Sequence, residues 1–134
     1  MAYWLVKTDP DSYSWQDFLA EIETDWDGVR NYQARLNLLN MDIGDSILVY
    51  ESQTVKSVVG IAEVTKKAFQ DTTSMDDRWV AVRLKVNKSL NNPVTLAMIK
   101  SEPMLLNVAL VKQSRLSVMP LNDEEYHKII SLSE

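Results

Sequence analysis

Residues 2–7 are apolar on both faces of an extended chain, with Tyr3 and Leu5 on one side and Trp4 and Val6 on the other. Such a segment is a strand in the interior of a sheet, covered above and below. Asp9, Pro10 and Asp11 end it. Three of the next segments read as strands by the same logic. After the Gly44-Asp45 turn, Ile47 and Val49 alternate with Leu48 and Tyr50. Residues 57–65 form the next β-rich run, so the two make a hairpin around a loop at 53–56. Gly60, inside the second strand, marks a bulge or a close approach by another backbone or a ligand, with a barrel corner as the other reading. In residues 79–86, Val80, Val82, Leu84 and Val86 point one way and Trp79, Ala81, Arg83 and Lys85 the other, the pattern of a half-solvated antiparallel strand.

Short helices fill the gaps. Ser14 and Asp17 form a capping box before Phe18, Leu19 and Ile22. Pro93 stops the segment it lies in, Thr95 caps a helix through Leu96 and Ile99, and Pro103 breaks that helix. Residues 116–121 close the sheet, and Asn122 with Glu125 caps a last helix that docks through Tyr126, Ile129 and Ile130. The polar stretch 70–78 is predicted as a mobile loop, with a role as a lid as the other reading. The sum is one α+β domain over 1–134, a small and mostly antiparallel β-barrel with short flanking helices. A doubly wound parallel sheet needs a glycine-rich phosphate loop, and three glycines in 134 residues supply none.

Residues 26–35 concentrate the chemistry. Asp27-Gly28 signals a turn, and helical periodicity follows it. On the helix, Tyr32, Leu36 and Leu39 form one apolar flank and Ala34, Leu38 and Met41 a second. Asn31 and Arg35 fall between these flanks. A buried arginine must be paired or must line a cavity, because an unpaired desolvated charge costs several kcal/mol. A structural salt bridge is the bland alternative. Arg30, Asn31, Tyr32 and Gln33 add fork-shaped donors, amides and a flat ring, a set suited to a planar heterocycle.

The composition limits the remaining chemistry. With no cysteine, disulfides, thiolate metal sites and cysteine nucleophiles are excluded. His127 is the only histidine and sits in a charged C-terminal helix, so no triad assembles, and the carboxylate pairs lie in polar stretches without metal spacing. No catalytic residue, cofactor or metal is expected. The formal charge of −5 opposes broad electrostatic attraction to nucleic acid, although Lys7, Arg30, Arg35, Lys112 and Arg115 could form a local basic face. The first six residues lack a signal-peptide pattern and no apolar run spans a bilayer, so a soluble cytoplasmic protein with no membrane partner is expected.

The runs at 3–10, 26–35, 44–52, 59–62, 78–80 and 113–118 together resemble the EVE domain, a PUA-like family related to the YTH readers of methylated RNA adenine. The resemblance covers nearly the whole chain. It implies a reader whose pocket holds a modified nucleobase swung out of DNA or RNA. Trp4 and Lys7 would lie at the pocket's edge and floor, Trp26 and Tyr32 would stack, Arg30, Asn31 and Arg35 would hydrogen-bond, and Tyr50 and Ser52 would form the far wall. Core packing is the alternative for Trp4 and Trp26. Glu51 stands where relatives often carry histidine, and facing the ligand it would repel phosphate or accept from an amino group. The other functional class is a sensor of a free nucleoside, base or similar small heterocycle, whose binding would be almost independent of salt.

Overall fold

The computed structural model describes residues 1–134. The chain runs β1 (Tyr3–Thr8), α1 (Trp15–Glu21), β2 (Glu23–Trp26), α2 (Tyr32–Asn40), β3 (Ser46–Glu51), β4 (Ser57–Gln70) and β5 (Val80–Thr95). It continues through α3 (Leu96–Lys100), a 3-10 turn (Pro103–Leu105), α4 (Ala109–Lys112), β6 (Val118–Leu121) and α5 (Asp123–Leu132). Six strands form one sheet in the order β2-β5-β4-β3-β1-β6. Strand β1 is interior as its pattern requires, with Trp4, Leu5 and Val6 buried. It pairs parallel with β3, so the chain must cross over between them, and α1, β2 and α2 make up that crossover.

The predicted barrel does not close. Strands β2 and β6 are the two edges of the sheet and do not pair with each other. Four register shifts between the long strands β4 and β5 bend the sheet, and α2 occupies the seam that a closed barrel would have zipped. It packs on β6 and also on β5, four places away in strand order. Asn37 of α2 donates to the Val118 carbonyl of β6 at 2.7 Å. Seated in that seam, α2 buries only one of its two predicted flanks. Ala34, Leu38 and Met41 are buried, and Tyr32, Leu36 and Leu39 face outward.

Local signals hold where short-range chemistry sets them. Ser14 and Asp17 exchange both bonds of a capping box, and Asn122 and Glu125 do the same at α5. Thr95 caps α3 by accepting from the Met98 N–H. Pro93, however, does not end its strand. Between Ser89, opposite Gly60, and Val94, opposite Val58, the β4/β5 register slips, so the missing proline N–H falls where the ladder does not need it. Gly60 is closely approached, by a side chain rather than by backbone or a ligand: a Cβ built there would lie 2.1 Å from the indole ring of Trp15. No helix is long and apolar enough to cross a membrane.

Candidate functional site

The C-terminal end of β1, the end of β2 and the turn that enters α2 meet around a cavity of about 730 Å³. Strand β1 delivers Lys7 and Thr8 to its wall. Lys7 is fixed by its Nζ donating to the Ser114 carbonyl at 2.7 Å, and burial lowers the pKa of its ammonium. Strand β2 delivers Thr24, Asp25 and Trp26. Trp26 is 7% exposed and packs on Phe18 and, edge to face, on Tyr13. No buried side-chain nitrogen or oxygen is left without a partner, and the Trp26 indole N–H has none in the protein, so it opens to solvent beside the cavity it lines. Tyr13 donates its hydroxyl to Glu21. Burial, then that carboxylate, pushes its phenol up to about 12.

The third wall is the turn at 27–31, and its shape is set by a buried carboxylate. Gly28 adopts φ +77°, a conformation that glycine takes without steric cost. Its N–H donates to Asp71 Oδ2 at 2.8 Å, and Arg30 Nη1 donates to the same oxygen at 2.9 Å. Asp71 has no exposed side-chain surface. Burial alone would raise its pKa, but bonds from Thr73, Arg30 and the Gly28 N–H outweigh that and hold it at about 2. The segment predicted as a loop or lid is therefore tied to the turn through Asp71. At the rim, Asp27 titrates above the usual carboxylate range because partial burial and the neighbouring Asp71 and Asp25 charges oppose its ionisation. The wall carries four acids, Asp9, Glu21, Asp25 and Asp27, against Lys7 and Arg30.

Of the residues singled out in the sequence, Lys7, Trp26, Arg30 and Asn31 line this cavity. Asn31 also caps α2, its Oδ1 accepting from the Ala34 N–H at 2.9 Å. The others stand elsewhere. Trp4 lies three residues back along β1, about 10 Å from Lys7, and donates its indole N–H to Asp45 in the core. Tyr50 is buried beside Lys7 in the β1/β3 register, and burial raises its pKa. Glu51 turns away to accept from the Trp15 N–H at 2.8 Å, at the start of α1. Ser52 donates to the Thr8 carbonyl. Arg35 is half-buried rather than buried and has no acidic partner. Its Nε donates to the Arg78 carbonyl, because α2 sits in an open seam and its first turn stays near water. Tyr32 is 61% exposed, with its ring 5.4 Å from that of Trp79.

Sequence reasoning passed over Tyr13, Thr24 and Ser117, which also line the cavity. The missed strand β2 accounts for Thr24. Its signal was present as charge: Glu23 and Asp25 face Lys85 and Arg83 across the ladder, and Arg83 Nη1 meets Asp25 at 2.7 Å.

The EVE domain model matches residues 2–132. The chain is 30% identical to thymocyte nuclear protein 1 of Gallus gallus, covering 98% of this chain and 69% of that protein. An NMR structure of a protein from Rhodopseudomonas palustris superposes with a TM-score of 0.93 at 41% identity, over 99% of this chain and 93% of that one. The human THYN1 protein, crystallised in complex with DNA containing 5-methylcytosine, superposes with a TM-score of 0.94 at 28% identity, over 100% of this chain and 98% of that one.

Proposed function

Because this chain belongs to the EVE domain family, we propose that it is a non-catalytic reader of a modified base in DNA, with a methylated cytosine as the base that fits best. The observation that carries this reading is the cavity at the end of β1, floored by Trp26 and walled by acids beside Lys7 and Arg30. Its volume of about 730 Å³ falls in the range of small-molecule sites and accommodates a nucleotide. A cytosine ring presents an amino donor, for which the wall carboxylates are acceptors, and a carbonyl, for which the Lys7 ammonium is a donor. The indole of Trp26 supplies an apolar wall for the ring and its methyl group. The likeness to human THYN1, whose complex holds 5-methylcytosine DNA, supports the same class of ligand here.

Flipping a base costs a few kcal/mol of stacking, which the buried contacts must offset, so mismatched or single-stranded sites bind best. We read the site as binding rather than reacting because Lys7, Thr8 and Tyr13 are already committed and the Ser12, Thr24 and Ser117 hydroxyls on its wall have no histidine beside them. Lys7 is held by a backbone carbonyl, Thr8 by the Tyr13 carbonyl and Tyr13 by Glu21.

The test is an equilibrium titration of the protein with duplexes carrying one 5-methylcytosine or one cytosine at the same position. Lys7→Met and Asp27→Asn should each weaken binding to the methylated duplex about tenfold, the worth of one hydrogen bond to a charged group. Unchanged affinity for the methylated duplex in both variants would overturn the assignment of this cavity. The surplus of acids on its wall favours a second reading, a free nucleoside as ligand. Binding of 5-methyl-deoxycytidine at any salt concentration, with no binding of either duplex, would put that reading first.

A further inference from the structure

Beside the cavity mouth lies a surface that shares only Arg30 with the pocket. Three of the chain's five arginines, Arg30, Arg35 and Arg78, gather there around two aromatic rings. Arg30 lies over Trp79 with its guanidinium carbon 5.6 Å from the ring centroid, and Arg78 lies over Tyr32 at 5.9 Å. The two rings lie 5.4 Å apart, tilted by 35°. Each arginine is oriented by the protein and still keeps donors for something else. Arg35 spends only its Nε, on the Arg78 carbonyl. Arg78 bonds Asp76 through Nε and Tyr32 through Nη1, which leaves Nη2. Arg30 spends Nη1 and Nη2 on Asp71, Val29 and Thr73, and its partner Asp71 is wholly buried beneath it.

Asp76 and Asp77 lie in the same turn, so the patch acts by directed donors rather than by net charge. Pre-oriented guanidinium forks with free N–H groups match phosphate oxygens, and the exposed Tyr32 ring offers a face for a neighbouring base or sugar. We infer that Arg35, Arg78 and Tyr32 hold the backbone of the DNA strand that flanks the nucleotide entering the cavity. This rests on the reading of the cavity as a flipped-base site. Arg30, which belongs to both the cavity wall and the patch, joins the two. On a chain of formal charge −5, such a local clamp supplies the phosphate contacts that the overall field cannot.

The experiment is a titration of the whole chain with the methylated and unmethylated duplexes across a range of NaCl concentrations, comparing wild type with the Arg35→Gln/Arg78→Gln double variant. The double variant should bind both duplexes about tenfold more weakly. Its plot of log affinity against log salt should be shallower by roughly 0.9 per lost phosphate contact, with the preference for the methylated duplex retained. Should the double variant unfold, Arg35→Lys/Arg78→Lys keeps the charges but removes the forks, and should bind both duplexes more weakly with a salt slope near that of wild type. Unchanged affinity and slope, in a protein that still prefers the methylated duplex, would overturn the clamp and leave the cavity reading intact. If wild type shows no such preference, the cavity reading falls, and the salt slope of the double variant still decides the clamp.

Discussion

The four tryptophans divide into two pairs by the use of the indole N–H. On one side, Trp4 donates to Asp45 at 3.0 Å and Trp15 to Ser89 at 2.8 Å, and both rings are locked by packing. On the other, Trp26 and Trp79 spend no indole N–H within the protein. Trp26 lines the cavity, and Trp79 lies under Arg30. Fractional burial alone misses the distinction, since Trp15 is 4% exposed and Trp26 is 7%. A ring whose polar end is already satisfied is there to pack. A ring with its polar end free is available to a ligand.

The comparison breaks most sharply at the glycines that serve the two regions. Gly60→Ala would drive a methyl group to within 2.1 Å of the buried Trp15 ring, and should cost about 3 kcal/mol in chemical denaturation. Gly28→Ala meets no atom within 4 Å and suffers only its φ of +77°, so it should cost about 1 kcal/mol. Equal costs would show that the Trp15 side is no more tightly packed than the turn beside the cavity.

Asp71 gives the next largest effect, because the cavity side rests on charge where the Trp15 side rests on packing. Its folded pKa of about 2 lies below the unfolded value of about 3.9. The stability it contributes is therefore complete above about pH 5 and is lost as the pH falls toward 2. Allowing for water around the half-exposed Arg30, this amounts to about 2 kcal/mol. The difference in unfolding free energy between wild type and Asp71→Asn should shrink by that amount between pH 6 and pH 2. A gap that does not change with pH would mean that Asp71 is no better bonded folded than unfolded.

The same division explains what the sequence disclosed. Capping boxes at Ser14 and Asn122, the turn at Gly28 and the two-faced strand at Tyr3–Thr8 depend on neighbours a few residues away, and all were legible. Crowding at Gly60 was legible only as one of several readings, with backbone or a ligand as the neighbour, because the indole that causes it comes from 45 residues upstream in the chain. Closure of the sheet was not legible, because it turns on whether β2 meets β6, a contact between strands that share no local signal. At the site, the turn at 27–31 was readable from its residue types. The positions of Tyr32 and Arg35 depended on how deeply α2 sinks into the seam, which periodicity does not encode. Glu51 shows the same limit, since its orientation is set by the Trp15 backbone N–H across the fold.

The finest test substitutes one tryptophan from each pair. Trp15→Phe removes the bond to Ser89 and part of a ring enclosed by Gly60 and Phe18, and should cost about 2 kcal/mol of stability. Trp26→Phe removes an N–H that has no protein partner and leaves a six-membered ring against Phe18, so about 1 kcal/mol is expected. Binding should follow the opposite order. Trp26→Phe should lose about tenfold in affinity for the methylated duplex, from a narrower stacking wall and a missing donor, while Trp15→Phe, measured where it remains folded, should bind as wild type does. The ranking matters more than either value. Reversal of both orders would mean that a free indole N–H does not identify the ligand's side of this fold, whereas the expected crossing ties the cavity to recognition by a measurement independent of its shape.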